Sequence, residues 1–213
     1  MVDVAGALAG LASKRPLFHS EADFQHALAW EFHERWPDCS LRLEFRPPRI
    51  PERIIIDLWV TRGERVFAIE LKHKTRRLSL TVDGEPYNLL DQSAQDLGRY
   101  DFLKDVRRLE GIVSANRNAV GCAVFLTNDS AYWNQPRDAA TVDAQFRIHE
   151  GRTVSGEMSW GSHASEGTTR GRSQPIIIEG QYSLRWSDYS LPSTGPYGKF
   201  RYLLVTMAGG PPT

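Results

Sequence analysis

Apolar positions recur with two different periods along the first 127 residues. Behind Ser20, the residues Phe24, Leu28 and Phe32 (or Glu31) fall on one helical face. Ser20 is a good N-cap, Glu21 and Asp23 stand in the first turn where acids suit the helix dipole, and Pro37 follows the end. Leu41 to Phe45 alternates and predicts a strand, interrupted by Pro47-Pro48. Arg53–Val60 and Val66–Lys72 predict two further strands, and Leu78–Val82 with Tyr87 around Asp83-Gly84 predicts a small hairpin. From Leu89 to Leu109 the positions Leu90, Ala94, Leu97, Val106 and Leu109 fit a helix with Gly98 as its weak point, and Ala119–Leu126 reads as a short apolar strand.

After Asn128 the texture changes. Phe146–His149, Ile176–Trp186 and Phe200–Met207 predict strands, whereas residues 151–174 are rich in Gly, Ser and Thr and read as a loop or excursion. The expected organisation is an α/β core over 1–127, a mixed central sheet flanked by helices, with a β-rich C-terminal extension over 128–213 packed on it. There is no internal repeat.

The second and third predicted strands carry candidate chemistry. A two-residue loop centred on Gly63-Glu64, with Gly at the first position as a type II′ turn prefers, sets a register in which paired positions sum to 127. Ile54, Ile56, Leu58 and Val60 then face Phe67, Ile69 and Leu71, all apolar. The opposite face holds Ile55, Asp57 and Trp59 against Ala68, Glu70 and Lys72. Asp57 lies directly across from Glu70, and like charges so placed are destabilising unless a cation sits between them. A divalent cation or the Lys72 ammonium would relieve the pair. Oxygen ligands suit magnesium or manganese rather than zinc. Arg46, Arg49, Lys74, Arg76 and Arg77 could hold an anionic substrate, completing the outline of a metal-dependent phosphodiester site. The plainer alternative is a surface hairpin whose acids face water and pair with Lys72 or Arg53.

Composition narrows the picture. The chain has 213 residues, 41% hydrophobic and 10% aromatic, enough for a core without disulfides and unlike a disordered segment. No apolar run is long enough to span a membrane, and the apolar stretch Val4–Ala12 follows Asp3 rather than a basic segment, a poor match to a signal peptide. Cys39 and Cys122 lack zinc spacing. A cytoplasmic protein is expected. The net charge is zero, but residues 41–77 hold ten basic and five acidic side chains, so the basic excess coincides with the hairpin.

Asp57, twelve intervening residues, then Glu70-Leu-Lys72 resembles the PD-(D/E)XK nuclease superfamily, which includes restriction endonucleases, Holliday-junction resolvases and repair nucleases. The order acidic helix, strand, Asp strand, hairpin, Glu-x-Lys strand, helix, strand over residues 20–126 is similar to that family's common core. Ile56 replaces the proline that precedes the aspartate in the family's motif, a proline that many members lack. The resemblance implies a restriction-endonuclease-like fold and metal-dependent hydrolysis of nucleic acid, with DNA ahead of RNA as substrate. Asp57 and Glu70 would ligate Mg2+ (or Mn2+), Lys72 would position water or neutralise developing charge, and Glu21 would be the helix acid, with Glu31 in reserve. Gln92, Gln95, Asp96 and Tyr100 are candidates for supporting contacts. A homodimer, or a partner protein in defence or repair, is a further expectation. Ser20–Gln25 and Gln95–Asp101 also resemble a group of bacterial proteins that supplies no activity to carry over. The alternative function is a catalytically silent protein on the same fold that binds nucleic acid or a partner.

Other chemistries are poorly supported. His19, His26 and His33 are spaced by seven, so no helical zinc pair exists, and neither a G-x-S-x-G nor a P-loop motif is present. Tyr132, Trp133, Trp160, Tyr182, Trp186, Tyr189 and Tyr197 could stack on bases; core packing of a β lobe is the more ordinary role for such residues.

Overall fold

A computed structural model describes residues 2–47, 54–136, 138 and 140–209. Its centre is a six-stranded mixed sheet in the order β1-β2-β3-β6-β10-β9. The strands are β1 (Ser40–Phe45), β2 (Ile56–Arg62), β3 (Arg65–Lys74), β6 (Ala119–Thr127), β9 (Trp186–Ser190) and β10 (Phe200–Ala208). β3 and β6 are parallel and the other neighbours antiparallel. Two hairpins lie outside the sheet: β4 (Leu78–Val82) with β5 (Glu85–Leu89), and β7 (Thr153–Met158) with β8 (Ile176–Ser183). Helices α1 (Val4–Lys14) and α2 (Glu21–Arg35) cover one face, where Leu8, Phe24, Leu28 and Phe32 meet Leu58, Phe67, Ile69 and Leu71. Helix α3 (Gln95–Ala115) and the β7–β8 hairpin cover the other, against Ala68, Ala123 and Phe125. The fold class is therefore mixed α/β. Among the described residues no helix is long and apolar enough to cross a membrane.

The elements follow their local signals. Ser20 Oγ accepts the Asp23 N–H and caps α2. Gly63 has φ +58 and the β2–β3 register keeps the sum of 127, as in Trp59 opposite Ala68. Asp83 and Gly84 both have positive φ, which a type I′ turn requires. Because Ser20 sets where α2 begins, and so where Glu21 stands, Ser20→Ala is expected to cost about 1 kcal/mol. That should appear as a drop in thermal midpoint of roughly 2–4 °C.

Several expectations need correction. The boundary at 127/128 is not structural: β9 and β10 complete the main sheet, and β10 pairs along β6 over Arg201–Ala208. Phe146–His149 is not a strand: Phe146 ends a short 3-10 turn (Ala144–Phe146) and residues 147–149 are irregular. Residues 151–174 contain β7 and the four-residue helix α4 (Glu166–Thr169). Helix α3 begins at Gln95 rather than Leu89, leaving Leu90 exposed. The apolar segment at Val4 is helix α1. Tyr132, Trp186 and Tyr189 are buried in the main core rather than in a separate lobe, with Trp160 and Tyr182 packed against it.

Candidate functional site

The β2–β3 hairpin brings its charged residues to one place by leaving the ladder. Paired residues run from Arg62–Arg65 back to Leu58–Ile69, and beyond that point Asp57 replaces backbone with side chain: its Oδ2 accepts the Leu71 N–H at 2.6 Å. Gln25, buried on α2, donates to the Asp57 carbonyl and to Glu44, whose own φ is +48. Upstream of this divergence, Ile54 and Ile56 are buried with the α3-side cluster, so they do not continue the α2-facing row of Leu58 and Val60 that strict alternation predicts.

Glu70 and Lys72 point from β3 towards α3. The Asp57 carboxyl group lies close enough to Glu70 for its charge to raise the Glu70 pKa, and two acids so placed repel unless a cation or a proton comes between them. Glu70 is only 3% exposed. Burial first, then the charges of Asp105 and Asp57, push its pKa up to about 9. Burial also raises Asp57, against the Leu71 N–H and Lys72. Glu21, at the start of α2, accepts the His73 N–H at 2.7 Å; burial raises its pKa, while Lys72 and that N–H oppose the rise. Burial disfavours the Lys72 charge, but Asp105 and Glu21 outweigh it and hold the ammonium well above an ordinary lysine.

Two residues of the cluster come from α3 and are not among the sequence candidates. Asp105 lies 2.8 Å from Lys72 Nζ and 2.6 Å from Arg108 Nη1. Arg108 also reaches Glu70 Oε1 at 3.1 Å and donates to the Ile55 carbonyl. A signal existed: Asp105 interrupts the buried stripe of Phe102, Val106 and Leu109, where an acid must find a cationic partner. The cluster thus gathers four carboxyl groups (Glu21, Asp57, Glu70, Asp105) around two buried or half-buried cations, Lys72 and Arg108.

The remaining candidates divide. Glu31 pairs with Lys14 and Arg35 between α1 and α2, so Glu21 is the helix acid near the site. Lys74 lies within electrostatic reach of Glu21. Arg46 and Arg77 are exposed, and Arg49 lies outside the described residues. Arg76 pairs with Asp91 and stands over the Tyr197 ring. Three of the four supporting candidates, Gln92, Gln95 and Tyr100, go elsewhere. Gln92 accepts the Thr75 N–H, Gln95 donates to Asp129, and Tyr100 donates to the Gln174 carbonyl while stacking on Trp160. They lie on or before the first turns of α3, whereas the turns two further on face Glu70 and Lys72.

Among the described residues no three His, Cys, Asp or Glu side chains are assembled in metal-holding geometry. The donor chemistry nevertheless suits a hard cation. The ligands are all oxygen, acids outnumber bases, and the buried Glu70 Oε1 has no aligned hydrogen-bond donor despite the nearby Arg108. Fold and site together define an α/β protein with an acid-rich cluster where a hairpin diverges. No protein-family model, curated protein or solved structure matches the chain.

Proposed function

We propose that this protein is a metal-dependent nuclease of the PD-(D/E)XK type, hydrolysing phosphodiester bonds of nucleic acid, DNA ahead of RNA. The observation that carries the reading is the meeting of Asp57 and Glu70 beside Lys72 and Glu21, with more acid than base present. Asp57 and Glu70, with Glu21 and water, would hold Mg2+ or Mn2+. Such an ion supplies Lewis-acid polarisation of the phosphate and a more acidic bound water. Lys72, held charged, is suited to neutralising charge that develops on the phosphate rather than to removing a proton. Asp105 aims its ammonium, and the exposed Arg46 and Arg77 would receive the backbone of the substrate electrostatically. The free thiols of Cys39 and Cys122 accord with a reducing, cytoplasmic compartment.

The alternative is a catalytically silent nucleic-acid-binding or partner-binding protein. What favours it is that Lys72 is tied to Asp105 and that Arg108 occupies the Glu70 carboxyl. Linear, nicked, branched and single-stranded DNA, with RNA in parallel, would be incubated with magnesium, manganese, calcium or EDTA. Cleavage with magnesium or manganese and none in EDTA is the expected result. Binding to some form with no cutting of any would pass the reading to the silent protein, and neither binding nor cutting would remove nucleic acid from both.

A further inference from the structure

A second site lies beyond the carboxyl-terminal ends of the parallel strands β3 and β6, the end of an α/β sheet where ligands commonly bind. There a cavity of about 410 Å3 is lined by Arg76, Asp129, Asn134, Asp138, Arg147 and Tyr197 among others, a volume in the ordinary range for small-molecule pockets. Two of its lining residues, Arg76 and Tyr197, are tied together. The side chain of Asn128, 2% exposed, accepts the Arg76 N–H and donates to the carbonyls of both Arg76 and Tyr197. That amide locks two distant segments together and sets the Arg76 guanidinium 4.9 Å from the centre of the Tyr197 ring. Tyr197 keeps φ at +61 and is 40% exposed. A bulky side chain in the left-handed region, held there with its ring in solvent, is a strain that burial does not explain.

The walls are of mixed sign. Arg147 and Arg99 share one carboxylate, Asp143, at 3.2 and 2.5 Å, and the buried Arg147 Nε has no hydrogen-bond partner. Burial, then the charge of the neighbouring Arg99, lower the Arg147 pKa. Asp129 and Asp138 line the same cavity. A pocket of purely positive sign would suit inorganic phosphate. Arginine, carboxylate, amide and an exposed aromatic face together suit a ligand with an anion, hydrogen-bond donors and a π-surface.

We infer that this cavity binds a nucleotide, its phosphate on Arg147 and Arg76 and its base against Tyr197. Its assignment to a nucleotide of the substrate strand, held away from the scissile bond, rests on the nuclease reading; the binding itself does not. The test is calorimetric titration with the four nucleoside 5′-monophosphates in EDTA, which removes any metal bridge to the Glu70 cluster. Nucleoside alone and inorganic phosphate are the controls. Tyr197→Gly deletes the ring at a position whose φ glycine adopts freely, so the fold is retained. Binding should weaken about tenfold in that variant and be restored to within about twofold by Tyr197→Phe. No binding of any nucleotide, equal binding by Tyr197→Gly, or phosphate binding as tightly as nucleotide would each overturn the proposal. Nucleotide binding in EDTA by a protein that cuts nothing leaves the pocket standing and removes only the nuclease reading; cutting without nucleotide binding does the reverse.

Discussion

Removing the Lys72 ammonium is expected to lower magnesium-dependent cleavage by about a hundredfold or more while changing nucleic-acid affinity by about twofold at most. Lys72 is the one cation of the cluster that lies two residues from Glu70 on the same face of β3. It is held charged, so on the nuclease reading its loss would remove stabilisation of the transition state rather than a proton acceptor. The structure changes how the experiment must be done. Lys72→Ala alone leaves the buried Asp105 with Arg108 as its one ion-pair partner among the described residues, and breaking one side of a buried ion pair costs about 3–5 kcal/mol. Lost activity could then reflect lost fold. Lys72→Ala should therefore be made with Asp105→Asn, which keeps the shape and removes the stranded charge, and compared with Asp105→Asn alone. Cleavage is measured with magnesium and binding with calcium. If the double variant cuts as fast as Asp105→Asn, Lys72 has no part in the chemistry.

Glu70→Gln is expected to stabilise the metal-free protein at pH 8–9 and to abolish most of the stabilisation that magnesium gives the native chain. The sign follows from linkage. Glu70 titrates near 9 in the fold against 4.5 when unperturbed, so between those values the folded chain holds a proton that the unfolded chain has released. Its contribution to stability is thus greatest below about pH 4.5 and declines as pH rises towards 9. Glutamine cannot ionise, so the variant loses that slope. The gain should be on the order of a few kcal/mol at pH 8–9, with little change near pH 5. At roughly 2–4 °C per kcal/mol the difference is readily measured by thermal melts across the pH range. The same proton must leave before Glu70 can ligate a cation, so magnesium should raise the midpoint more at pH 8.5 than at pH 6.5. Equal magnesium shifts in the native chain and the variant would remove Glu70 from any metal site.

These two tests bear on residues whose positions were legible to different degrees. Asp57, Glu70 and Lys72 could be placed on one strand face from the two-residue period and the Gly63-Glu64 turn, because hairpin register is a local matter decided within twenty residues. The Ser20 cap and the Asp83-Gly84 turn were legible for the same reason. The fate of Ile54 and Ile56 was not, since the strand departs from alternation where Asp57 turns its carboxylate onto the Leu71 N–H.

What the chain alone determined is therefore the hairpin, the α2 cap and the juxtaposition of two acids with a lysine. What only the tertiary structure decided is the environment that gives those groups their charge states. Asp105 and Arg108 stand more than thirty residues from the hairpin, on a helix whose rotation about its axis is set by packing against β6 and β8. β10 enters the sheet beside β6 from the last fifteen residues, and Asn128 joins Arg76 to Tyr197 across still longer separations. Turn and cap energies act between neighbours and can be read in order along the sequence. Burial and charge pairing act between whichever residues the completed core brings together, and it is burial against α3 that lifts Glu70 far from an ordinary carboxylate.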